Sequence, residues 1–133
     1  GDIQLEKGST ATSFDYREYG EELRKCQRYL PAWTGSGVYG MGVAANSTDA
    51  YAILPLPVPT RVAPTGIYAS SGAGFIVSDV TSSFNTTTSM SFSQASVYTL
   101  SIKAVSAGQV ANRPITIQGN SSSSIVYGTG CEL

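Results

Sequence analysis

Histidine is missing from the chain altogether. That removes the side chain most often used as a general base, and the commonest metal ligand with it. A cysteine nucleophile would therefore lack its usual partner. Charge is scarce too. Asp, Glu, Lys and Arg make up 13% of the 133 residues, about half the usual share of roughly 25%. With 8 basic and 9 acidic residues the net charge is −1. No basic patch is available to neutralise phosphates, so nucleic-acid binding is not expected. No apolar run reaches the roughly 18 residues that span a bilayer, so membrane insertion is not expected either. The Gly35-Ser36-Gly37 and Gly72-Ala73-Gly74 stretches have no Walker lysine, which argues against a phosphate cradle. Two cysteines, Cys26 and Cys131, are too few for a disulfide framework. Both are expected as free, packed thiols, with a single bridge from helix to C-terminus as the alternative. The opening Gly1-Asp2-Ile3-Gln4 lacks the basic-then-apolar order of a signal peptide, and reads as the start of a piece cut from a longer polypeptide.

What is present is unevenly spread. Of the 17 charged residues, 11 fall in the first 30 positions. The other 103 positions hold Asp49, Arg61, Asp79, Lys103, Arg113 and Glu132. The chain divides near Pro31 into a charged leading segment (1–31, arm and helix) and a nearly neutral body (32–133), together one structural unit. Ile3 and Leu5 alternate with polar neighbours and read as a short strand or extended arm. Tyr19, Leu23, Cys26 and Leu30 recur at steps of four, three and four, one apolar stripe of a helix. Glu21 and Lys25 form an i,i+4 pair, the charges suit the macrodipole, and Pro31 stops the helix. A helix over 19–30 is too short to persist alone, so its stripe must lie on something: its own body, or the same helix of sister chains.

The body predicts strands near 38–43, 50–58, 65–69, 73–78, 88–92, 97–104, 114–118 and 124–128. In the clearest, Tyr98, Leu100, Ile102 and Ala104 face one way and Thr99, Ser101 and Lys103 the other. Turn residues separate the strands, as in Asn46-Ser47-Thr48-Asp49, Ser70-Ser71-Gly72, Ala107-Gly108 and Gly119-Asn120. Eight short strands at this spacing predict an all-β antiparallel sandwich or jelly roll. Leu54-Pro55-Leu56-Pro57-Val58-Pro59 loses every second backbone donor. It is expected as an edge strand, with its three apolar side chains pointing one way. Three sequons, at Asn46, Asn85 and Asn120, are expected to be accidents of a Ser/Thr-rich chain.

Several of these landmarks resemble a known family. Ile3-Gln4-Leu5-Glu6-Lys7-Gly8-Ser9-Thr10-Ala11-Thr12, with Phe14 and Arg17, resembles the arm of a C-terminal domain found in bacteriophage tail-fibre, tailspike and virion fibre proteins. Tyr19-Gly20-Glu21-Glu22-Leu23 with Cys26-Gln27-Arg28-Tyr29 resembles its helix. Leu56-Pro57-Val58-Pro59, Arg61 and Ala63-Pro64-Thr65 resemble its mid-domain strand, and Glu132-Leu133 its ending. The chain departs from the common form at Ser13, where proline is usual, and at Leu30-Pro31, where a second aromatic is usual. The resemblance implies a TNF-like jelly roll at the end of a virion fibre, forming a homotrimer joined to the rest of the fibre protein. It implies host attachment through a bacterial surface polysaccharide or lipopolysaccharide, or else a structural cap or decoration domain with no ligand. It carries no catalytic residues, and neither enzyme activity nor a cofactor or metal is expected.

Glycan binding requires only an exposed ring for a sugar's apolar face and amides, hydroxyls or charged groups for its hydroxyls. Trp33, at the helix-to-sheet junction, and Tyr39, between glycines that could expose it, are the aromatic candidates. Core or interface packing is the competing reading of Trp33. The polar loops 46–49, 78–88, 108–113 and 119–124 supply Asn46, Asp49, Asp79, Asn85, Asn112 and Arg113. Asp49 and Asp79 could form a glycosidase pair only if they lay within about 10 Å of each other. Their turn contexts favour backbone capping instead.

Overall fold

A computed structural model describes residues 5, 7–10, 12–13, 17–70, 74–81 and 84–131. The expected strand around Ile3, the turn at Ser71-Gly72 and the closing Glu132-Leu133 lie outside the described residues.

Alternation builds the body. In β8 (Thr99–Val105) Leu100, Ile102 and Ala104 are fully buried while the residues between them are not. The same two-residue period runs through β3 (Asp49–Pro55), β5 (Phe75–Asp79), β9 (Pro114–Gly119) and β10 (Ile125–Thr129). With β2 (Gly37–Ala44), β4 (Gly66–Ala69) and β7 (Ser89–Ala95), these account for all eight predicted strands. Two three-residue strands, β1 (Ala32–Thr34) and β6 (Phe84–Thr86), are additional. They are too short to show a period, and only pairing defines them.

All pairings are antiparallel and fall into two sheets. Seven strands follow the order β6-β5-β9-β2-β3-β8-β7, and three follow β1-β10-β4. The larger sheet curls strongly. Thr87 N–H donates to Phe75 O on β5, and the next residue, Thr88, donates to Val105 O on β8. Two consecutive residues therefore bridge the two outer parts of the sheet and bring its edges together, which leaves little free edge. The smaller sheet covers the open side, with Val126 buried and Trp33, Ile67 and Ala69 packed on the core. Phe75, Leu54, Leu100, Ile102 and Ile117 are the largest fully buried side chains. The result is an all-β, jelly-roll-like antiparallel sandwich preceded by one short helix.

The proline-rich stretch differs from expectation. β3 lies between β2 and β8, in the middle of the sheet, and ends at Pro55. Only its last residue lacks a donor, so the ladder is not interrupted. Beyond it Leu54, Leu56 and Val58 still point inward and the prolines outward, but residues 56–59 form a loop. Leu56 and Thr60 donate to the carbonyls of Tyr98 and Val97. Tyr98, predicted to face the core, precedes β8 and is 64% exposed, because the turn before the strand breaks the alternation.

The helix α1 (Tyr19–Tyr29) forms where predicted, but no residue of it is buried. The face turned to the body is the charged one: Glu21, Arg24, Lys25 and Arg28 line a groove with Val58. The stripe of Tyr19, Leu23, Cys26 and Leu30 is exposed. Lys25 pairs with Glu22 (3.2 Å) rather than with the expected Glu21. Arg61 N–H donates to Arg28 O, and Cys131 Sγ–H to Tyr29 O, which ties the helix end to the body. No disulfide joins the two cysteines. Cys131 is buried as expected, whereas Cys26 is exposed on the uncovered stripe.

Candidate functional site

Antiparallel register places three connections at one end of the seven-stranded sheet. Ala44 pairs with Ala50, Asp49 with Val105, Val43 with Pro114 and Asp79 with Ile115. The stretches 45–48, 80–81 and 106–113 therefore share a rim. Backbone hydrogen bonds join two of them: Ser106 N–H to Thr48 O, Gln109 N–H to Ser47 O and Asn112 N–H to Ala44 O, at 2.8–3.0 Å.

Six of the eight predicted site residues come together here. Asn46 Oδ1 accepts the N–H groups of Thr48 and Asp49, both at 2.8 Å, and so folds its own turn. Its amide donates to Asp49 Oδ2, which also meets Lys103 Nζ at 3.0 Å. Hydrogen bonding to Lys103, and next to Asn46, holds the Asp49 carboxyl below its ordinary pKa. Asp49 in turn raises the Lys103 ammonium. Asp79 is nearly enclosed, with Oδ2 3.0 Å from Arg113 Nη1 and Oδ1 accepting from the Thr81 backbone and hydroxyl. Asn112 takes a left-handed φ of 65°, which asparagine tolerates better than most residues. Asn85, in the middle of β6, lies against the third loop: a Cβ on Gly108 would sit 3.0 Å from its Oδ1. The two carboxylates answer to separate cations, so the rim is electrically balanced.

The two aromatic candidates are elsewhere. Tyr39 is only 7% exposed. Its hydroxyl reaches the carbonyls of Gly35 and Ser124, and its ring meets Phe75 edge-on at 6.2 Å. Burial raises its phenol pKa. The flanking glycine does not expose it. Gly40 instead lets β2 approach β3 so closely that a Cβ would meet Ile53 O. Trp33 is half-buried opposite Val126, packed on the core. Neither ring offers a free face to a sugar at the rim.

Sequence reasoning passed over two surfaces. Tyr68 and Tyr127 stack at 4.8 Å, with planes 19° apart, on the outside of the three-stranded sheet. Their alternation with Ile67 and Val126 carried that signal. Outside the large sheet, Met41, Val80 and Pro114 border a shallow apolar groove of about 300 Å³. Among the described residues no group of three or more cysteine or carboxylate side chains could hold a metal ion. No described helix is long and apolar enough to cross a membrane. Comparison of the chain with models of protein families, with curated proteins and with solved structures finds no match.

Proposed function

We propose that this chain is the C-terminal, trimeric, receptor-binding domain of a bacteriophage fibre or spike. In this reading it is TNF-like in topology and holds a polysaccharide or lipopolysaccharide of the bacterial surface at its rim. The virion surface is its place of action, and the rest of the fibre is its covalent partner. The sequence motifs of the arm, helix and proline-rich segment support the origin. The observation that carries the binding role is the gathering of Asn46, Asp49, Asp79, Asn85, Asn112 and Arg113 on one rim. Amides, carboxylates and a guanidinium there are held by their own contacts, in a balance of charge that suits largely uncharged hydroxyl groups.

A non-binding trimerisation cap is the second reading, favoured by the uncovered apolar stripe of α1. An array of bacterial surface glycans, probed with the chain, separates the two. Asn112→Gly keeps the left-handed backbone accessible and removes the amide. Loss of one hydrogen bond is expected to weaken binding about tenfold, with Trp33→Phe unchanged. No binding across the array would leave the cap.

A further inference from the structure

We propose that the outer face of β2 and β3 is where copies of this chain meet one another. This rests on the self-association half of the reading above and adds its location. Val38, Met41 and Val43 on β2 and Tyr51 and Ile53 on β3 all point outward and are all exposed, Met41 by 70% and Val38 by 60%. Register makes them one patch, with Met41 opposite Ile53 and Val43 opposite Tyr51. A core-facing strand normally turns polar residues outward. Here both faces of two adjacent strands are apolar.

Three features point to a second copy as the cover. The first is charge. Lys103 is the only charged side chain in the rows that flank the patch, and Asp49 neutralises it. The rest of those rows is uncharged: Thr99 and Ser101 beside β3, and Thr116, Gln118 and the apolar Pro114 beside β2. Copies that turn this face toward a shared axis bring no unbalanced like charges together, so a symmetric ring of them meets no repulsion there. The second is size. Five large exposed side chains give a patch of several hundred Å², at the upper end for a lone chain. With its polar borders it approaches the roughly 800 Å² per partner of a stable interface. The third is position. β2 and β3 are central in their sheet, so association there runs through side chains and not by adding strands at an edge.

The test is the solution mass of the full chain. Unaltered protein is expected at a multiple of 13.9 kDa. Met41→Lys and Ile53→Lys, both fully outward, are expected to reduce it to the single-chain mass with an unchanged circular-dichroism spectrum. Tyr68→Lys, outside the other sheet, is expected to leave the multiple intact. A lone chain at every concentration would overturn this proposal and self-association together. A multiple that survives both lysine variants would overturn only the location. Should those variants not fold, peroxide oxidation of unaltered protein decides. Met90 is half-buried in the isolated chain, and assembled protein is expected to protect Met41 to at least the same degree. Much faster oxidation of Met41 than of Met90 in assembled protein would overturn the proposal.

Discussion

Lys103 and Asp49 hold each other across β8 and β3, 3.0 Å apart. The carboxyl titrates below its usual value because the folded chain favours its charged form. Its contribution to stability is therefore present above the ordinary aspartate range, near pH 3.9, and is lost as pH falls through the lowered folded value. The raised lysine contributes below its ordinary value, near 10.4, and loses that as pH rises through the folded value. The melting temperature of Asp49→Asn should lie below that of the parent at neutral pH, with the gap closing in strong acid and in strong alkali. Asp79 is a different case, with only 5% of its side chain exposed. Arg113→Ala removes its cation and should cost about 1–2 kcal/mol in urea unfolding, since Thr81 still donates to the carboxylate. Thiol titration should find one fast group, Cys26, in the native chain, and a second, Cys131, only after unfolding.

At the scale of elements, most strands were legible because one face of each is buried, which forces a two-residue period. The same rule explains the failures. β1 and β6 have three residues each, and β3 could be judged central only once its neighbours were known. Periodicity located the helix, yet its stripe faces away from the body. A period tells which residues share a side, not what that side meets. β2 shows the tightest element contact. A Cβ on Gly42 would lie 1.8 Å from Tyr51 O, and so inside the β3 backbone. Gly42→Ala should force β2 from β3 and lower stability by more than about 2 kcal/mol in chemical denaturation. The conservative Ala52→Gly opposite should cost less, about 1 kcal/mol.

For the molecule as a whole, the helix contributes little to the body's own stability. A chain beginning at Leu30 keeps buried Pro31 and all ten strands found among the described residues. It should retain the far-ultraviolet signature of β structure, and its midpoint should fall by only a few degrees, about 1 kcal/mol. The candidate rim shows how far local pattern reaches. Turn chemistry named its residues, since Asn46 and Asp79 cap their own turns whatever the topology. Their meeting was invisible, because 33 residues separate Asn46 from Asp79 and 34 separate Asp79 from Arg113, and strand order alone brings them together. Tyr39 looked exposed beside its glycine and is buried, because its ring turns inward onto Phe75 and its hydroxyl reaches the carbonyls of Gly35 and Ser124. The residues by themselves determined the eight longer strands and the helix, since each follows from a pattern close along the chain, and the low charge, which is composition. Only tertiary packing decided which loops share a rim, which rings are buried and which apolar faces stay uncovered, because these depend on pairings between residues far apart in sequence.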